Sequence, residues 1–263
     1  MKNFVLAGKM FAFIAIVATL ATTTIPSFAQ AIAPATNAES GANLPKSCVP
    51  APRPEKWWNL RYEELNKRVA TPEAKKAKIV FLGDSITQLW EKNGKAVWAK
   101  NFAPLGAINL GISGDKTESL LWRLDKGNFP ADLDPKLIVL MIGTNNAGLN
   151  SDTPEDIALG IKAILDRIEK SNPKTKILLL AIFPRGADKN DAARKTNEAT
   201  NKIIKNYADN KRVYWLDINK AFLEKDSAQT LSKAIFYDLL HPTEKGYERW
   251  AKEILPKVKQ LSH

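Results

Sequence analysis

Five short apolar runs, each dominated by Ile, Val and Leu, recur along this chain at 78–82, 107–110, 137–142, 176–182 and 212–217, and longer amphipathic stretches separate them. Runs this short are strands rather than helices, and runs without polar alternation are strands buried on both faces. The intervening stretches carry helical spacing near 95–103, 117–127, 154–171 and 190–209, with a terminal helix over 243–260. Thr153-Pro154-Glu155 opens one of them with a capping residue, a proline at the first helical position and an early carboxylate. Strand and helix alternating five times specify an α/β domain: a parallel sheet with helices on both faces.

Open sheets of this kind bind ligands beyond the carboxyl ends of their strands, where the strand order reverses. Three small or polar clusters fall at such ends: Gly83-Asp84-Ser85, Gly111-Ile112-Ser113-Gly114-Asp115 and Gly143-Thr144-Asn145-Asn146. If the first strand lies between the second and the third, all three share one rim.

Residues 1–29 have the pattern of a cleaved secretory signal. Lys2 and Lys9 supply the positive start, 10–21 an apolar core, and Ser27-Phe28-Ala29 a small-residue cleavage site. A bilayer span needs about 20 apolar residues, so no stable membrane span is expected, and the protein reads as secreted or periplasmic. Residues 30–56, rich in Ala and Pro, read as a flexible linker, which leaves 57–263 as one domain. Cys48 is the lone cysteine, so there is no disulfide framework. The formal charge of +11 becomes +9 without Lys2 and Lys9. The lysines are scattered over helical faces without interleaved aromatics, a solvated basic surface rather than a nucleic-acid groove. Oligomeric state is not legible.

The chain has two histidines, and one, His263, is the last residue. Histidine chemistry therefore falls to His241, with Asp238 three residues before it. Acyl transfer needs an activated hydroxyl, a base of near-neutral pKa and donors aimed at the oxyanion. Ser85, at a strand-to-helix turn, is the candidate nucleophile. His241 is the candidate base and Asp238 the residue that fixes its tautomer. The backbone N–H groups of Ser85 and Gly114 and the side-chain amide of Asn145 are candidate oxyanion donors. Ile86, Thr144 and Leu240, each adjacent to one of these residues, are expected to wall a small acyl pocket.

These blocks resemble the GDSL or SGNH hydrolase family, through Gly83-Asp84-Ser85, Gly114 within Ser113-Gly114-Asp115, Gly143-Thr144-Asn145 and Asp238-Leu239-Leu240-His241. Within it the chain is similar to the catalytic subunits of intracellular platelet-activating-factor acetylhydrolase, through Val80-Phe81-Leu82, Leu121-Trp122-Arg123-Leu124 and Phe183-Pro184-Arg185-Gly186. The resemblance implies a three-layer, flavodoxin-like SGNH hydrolase fold with strand order 2-1-3-4-5, and the same roles for Ser85, Asp238, His241, Gly114 and Asn145. It implies a serine esterase that needs no cofactor and removes small acyl groups, acetyl first. Two departures are the export signal and Ser113 in place of a glycine. With export, acetylated carbohydrate is the expected substrate and short-acyl phospholipids or lysophospholipids the alternative.

Other chemistries fit less well. Lys116-Thr117 lacks the glycine spacing of a phosphate loop, and Ser85 lacks the flanking glycines of an α/β-hydrolase elbow. One interior histidine cannot build a His-rich metal site, although Asp84 or Asp115 could serve in a carboxylate one. A different class of function is a non-catalytic module holding a glycan through Trp57, Trp58 or Trp90.

Overall fold

A computed structural model describes residues 44–263. The expected signal, 1–29, and the first part of the expected linker, 30–43, lie outside the described residues. In chain order the elements are α1 (Lys56–Val69), α2 (Pro72–Lys75), β1 (Ile79–Gly83), α3 (Ser85–Gln88), α4 (Lys95–Asn101), β2 (Ala107–Asn109), α5 (Thr117–Asp125), β3 (Leu137–Met141), α6 (Pro154–Ser171), β4 (Lys176–Leu180), α7 (Ala192–Ile204), β5 (Val213–Leu216) and α8 (Glu244–Leu261).

The strands form one parallel sheet in the order β2-β1-β3-β4-β5. All five expected strands are present, within two residues at either end. Side chains alternate across the sheet as strand geometry requires. Val80 and Leu82 of β1, Ile138 and Leu140 of β3, and Ile177 and Leu179 of β4 enter one core with α1, α5, α6 and α7. Ile79 and Phe81, Val139 and Met141, and Leu178 and Leu180 enter the other with α4 and α8. β1 is the centre of the reversal, with β2 on one side and β3 on the other, so the ends of β1, β2 and β3 share a rim.

Residues 44–56 correct the linker expectation. Ser47, in a 3₁₀ turn over Lys46–Cys48, is buried; its hydroxyl donates to the Asp156 carbonyl at 2.6 Å and its own carbonyl accepts from Thr117 Oγ1 at 2.8 Å. The Ala51 N–H donates to the Glu118 carbonyl at 3.1 Å. The segment is a strap held by directional polar bonds, which leave no apolar periodicity to read. Helix α1 was also unanticipated. Its buried stripe is Trp58, Arg61, Leu65 and Val69, and the arginine interrupts the apolar pattern that would announce a helix.

Candidate active site

Each strand end shapes its residue for a local reason. A Cβ on Gly83 would lie 2.4 Å from the Met141 carbonyl of β3, so only glycine closes β1 there. Asp84 then caps α3 by accepting from the Ile86 N–H at 2.9 Å. Ser85 is the first residue of α3, where backbone N–H groups have no partner within the helix. Asn109 ties the end of β2 to this turn: its amide donates to the Thr87 carbonyl and its oxygen accepts from the Gly111 N–H, each at 2.8 Å.

His241 comes from the far end of the chain. Its loop is anchored by Tyr237 N–H to the His241 carbonyl, by Gly186 N–H to the Leu239 carbonyl, and by Thr243, which caps α8. Asp238 Oδ1 accepts from the N–H groups of Leu240 and His241, at 3.1 and 2.7 Å, a turn that Leu239 completes at φ 62°. Asp238 Oδ2 lies 2.6 Å from His241 Nδ1, and His241 Nε2 lies 2.8 Å from Ser85 Oγ. With Nδ1 donating to the carboxylate, Nε2 is left to accept the serine proton. Burial raises the Asp238 carboxyl, but the ring and backbone bonds from His241 outweigh it and hold the group below its ordinary range. It therefore stays ionised near neutral pH.

The other side of the site is a buried polar lattice. Ile112–Asp115 is a turn closed by Asp115 N–H to the Ile112 carbonyl at 3.2 Å, with Gly114 at φ 72°. Among the described residues, nothing accepts from the Gly114 N–H. Glycine is needed here for the left-handed backbone and because a Cβ would press on Arg53 of the strap and Trp57 of α1 at 3.1 and 3.2 Å. Asn145 Nδ2 donates to the Asp115 carbonyl at 2.9 Å, which uses one of its two hydrogens.

Asp115, weighed as a metal carboxylate, has both oxygens engaged. Trp58 Nε1 donates to one and Arg123 Nε to the other, each at 2.6 Å. Arg123 Nη2 also holds the Gly83 carbonyl at 3.1 Å, which links the nucleophile turn to the Gly114 turn. Burial pushes the Asp115 carboxyl up in spite of Arg123. Asp84 is buried with Oδ2 unpartnered, and burial, with the Asp115 charge adding, pushes it up to about 7.

The resemblance includes Arg123, but sequence reasoning gave it no role, since an arginine eight residues from its carboxylate, on a different element, gives no local sign of the pairing. Nor did it give one to Arg185, whose Nη1 donates to the Thr144 carbonyl at 2.8 Å beside Asn145. Of the expected pocket neighbours, Ile86 packs into the α4/α8 core, the Thr144 hydroxyl accepts from Asn197 at 3.2 Å, and Leu240 is half-buried. Trp58 and Trp90 are fully buried in packing, which removes them as glycan platforms; Trp57 is 49% exposed. No helix among the described residues is long and apolar enough to cross a membrane.

Residues 81–249 match the model of the GDSL-like lipase/acylhydrolase family. Platelet-activating factor acetylhydrolase IB subunit alpha1 of Rattus norvegicus is 34% identical over 209 residues, 79% of this chain and 87% of that protein. Subunit alpha2 from the same organism is 36% identical over 197 residues, 74% and 82% of the two chains. Among solved structures, a putative acylhydrolase from Bacteroides fragilis matches with a TM-score of 0.65 at 23% identity, covering 80% of this chain and all of that one. These relatives correct the expectation of a secreted or periplasmic protein. The acetylhydrolase subunits are of the intracellular type, which points away from export, and the stretch that suggested it, 1–29, lies outside the described residues.

Proposed function

The chain belongs to the GDSL-like lipase/acylhydrolase family and is a carboxylic ester hydrolase, and on that premise we propose that it removes small acyl groups, acetyl above all, through an acyl-Ser85 intermediate. The observation that carries this reading is the unbroken relay from Asp238 Oδ2 through both ring nitrogens of His241 to Ser85 Oγ, at 2.6 and 2.8 Å, across 156 positions of sequence.

Ser85 Oγ attacks the acyl carbon as its proton passes to His241 Nε2. The imidazolium is stabilised by Asp238. The oxyanion forms against the N–H groups of Ser85 and Gly114 and the second amide hydrogen of Asn145. His241 then returns the proton to the departing alcohol. In the second half a water loses its proton to His241 and attacks the acyl carbon; the bond to Ser85 Oγ breaks as His241 returns the proton to it, which frees Ser85 and the carboxylic acid.

The acetyl preference is supported by the names of the acetylhydrolase relatives. The same relatives favour a short-acyl phospholipid as the substrate, with a lysophospholipid as the alcohol released. An acetylated carbohydrate is the second reading, favoured by the exposed Trp57 ring beside Gly114, since sugar faces pack on aromatic ones. Nitrophenyl acetate, butyrate, octanoate and palmitate, followed by acetyl phospholipid and acetylated xylan, test the reading. We expect turnover to peak at acetate and to be higher on the phospholipid; a peak at octanoate or beyond overturns the acetyl assignment.

A further inference from the structure

We propose that Arg53 is a positioning residue for the oxyanion hole, acting from the strap through Gly114. The inference rests on the reading above, that the Gly114 N–H is one of the oxyanion donors. Arg53 lies outside the 81–249 segment matched by the family model, on a stretch whose composition reads as a tether.

Arg53 Nη1 donates to the Gly114 carbonyl at 2.6 Å. Its remaining nitrogens are engaged by Glu55: Nε by Oε2 at 3.2 Å and Nη2 by Oε1. The guanidinium also lies over the Trp57 ring, 5.6 Å from its centre. Three of the five guanidinium N–H groups are thus held by protein, and the one on Nη1 acts on the turn.

A turn of this class can take two forms. A turn of four residues can keep its closing bond, here Asp115 N–H to the Ile112 carbonyl, while the central peptide takes either of two opposite orientations. That central peptide is Ser113–Gly114. One orientation, with Gly114 at positive φ, presents the Gly114 N–H on one side; the other presents the Ser113 carbonyl there, which would repel an oxyanion.

Arg53 and Trp57 cover the Cα of Gly114, and the guanidinium bond to its carbonyl fixes the following peptide, whose N–H is already held by Ile112. From the opposite side, the Ser113 N–H donates to Gln88 Oε1 at 2.6 Å. Arg53 therefore fixes the position of the turn, since it and Gln88 restrain the two peptides that flank the central one, and the donor is placed before the substrate arrives. Preorganised donors stabilise charge without reorganisation cost at the moment of reaction.

The test uses the full chain and nitrophenyl acetate, with kcat and KM measured separately for wild type, Arg53→Ala, Glu55→Gln and Asn145→Ala. Loss of one charge-assisted hydrogen bond predicts a kcat about 10- to 100-fold lower for Arg53→Ala, with KM within about two-fold and partial recovery on adding methylguanidinium. Glu55→Gln keeps Arg53 and the strap but loosens its aim. It should lower kcat about two- to five-fold in the same pattern, and it carries the test if Arg53→Ala does not fold. Asn145→Ala is the benchmark, at roughly 10²- to 10³-fold.

A loss in Asn145→Ala with unchanged kcat in folded Arg53→Ala and in Glu55→Gln overturns the role of Arg53 alone. Unchanged kcat in Asn145→Ala overturns the oxyanion reading and this inference with it. A rise in KM at constant kcat in the Arg53 variant also overturns it, because the residue would then be binding substrate.

Discussion

Two pairs in this molecule join an aspartate to a basic side chain at the same distance, 2.6 Å, and they occupy opposite environments. Asp115 and Arg123 are both 0% exposed, whereas Asp238 is 42% and His241 19% exposed. The buried pair ties three elements of the rim together: Trp58 of α1, the Gly83 carbonyl of β1 and the Gly114 turn. Removing one partner would leave an uncompensated charge in the interior. The exposed pair sits on a loop held by backbone bonds that survive loss of either side chain, such as Tyr237 N–H to the His241 carbonyl. Its water-facing geometry contributes little to folding. One pair builds the rim and the other works on it, so stability and turnover should separate between them.

The largest expected effect lies on the exposed side. Asp238→Asn should keep the loop and lower kcat on the order of 10⁴-fold, because the ring loses the partner that fixes its tautomer. Its melting temperature should stay close to wild type. A variant that retained turnover, or lost it only by unfolding, would break the comparison. Next in size is Arg123→Met. Stranding Asp115 should cost about 3–5 kcal/mol, and with about 2–4 °C per kcal/mol for a domain of this size the melting temperature should fall by roughly 6–20 °C. Thermal unfolding by circular dichroism reads this directly. An unshifted curve would mean that Asp115 finds another partner or takes up a proton at little cost.

The same contrast explains what could be read from the sequence. The five strands were legible because an Ile/Val/Leu run buried on both faces has no other stable use, and β1 at the point of reversal follows from the family resemblance. Ser85, Asp238 and His241 were legible because a single interior histidine leaves one base to choose and its aspartate is three residues away. The buried lattice was not. Arg123 pairs with Asp115 across a turn and a helix, and Arg61 sits in the buried stripe of α1, so both look like surface charges in a linear reading. The strap was hidden for a related reason: Ser47, Ala51 and Arg53 dock through hydrogen bonds rather than apolar side chains, and a polar segment with prolines has the composition of a tether. Local chemistry was readable and the long-range polar supports were not.

The smallest effect sharpens the comparison most finely, because it sets two carboxylates against each other. Asp84 is buried and pushed up from 3.8 to about 7, so the folded protein keeps a proton that the unfolded chain releases between those values. Its contribution to stability is therefore fully present below pH 4 and is lost as the pH rises toward about 7. Asp238 is held down, so its contribution is present above its ordinary range and is lost only as the pH falls below it; at 42% exposure solvent screens most of that contribution. Melting curves of wild type, Asp84→Asn and Asp238→Asn at pH 5, 6, 7 and 8 separate the two. Relative to Asp84→Asn, the wild type should lose a few degrees between pH 5 and 8, because the asparagine keeps an oxygen for the Ile86 N–H and has no proton to lose. Relative to Asp238→Asn it should stay level over the same range. Parallel curves for wild type and Asp84→Asn would mean that Asp84 is already ionised at pH 5, and the buried side of the rim would then be wetter than its packing indicates.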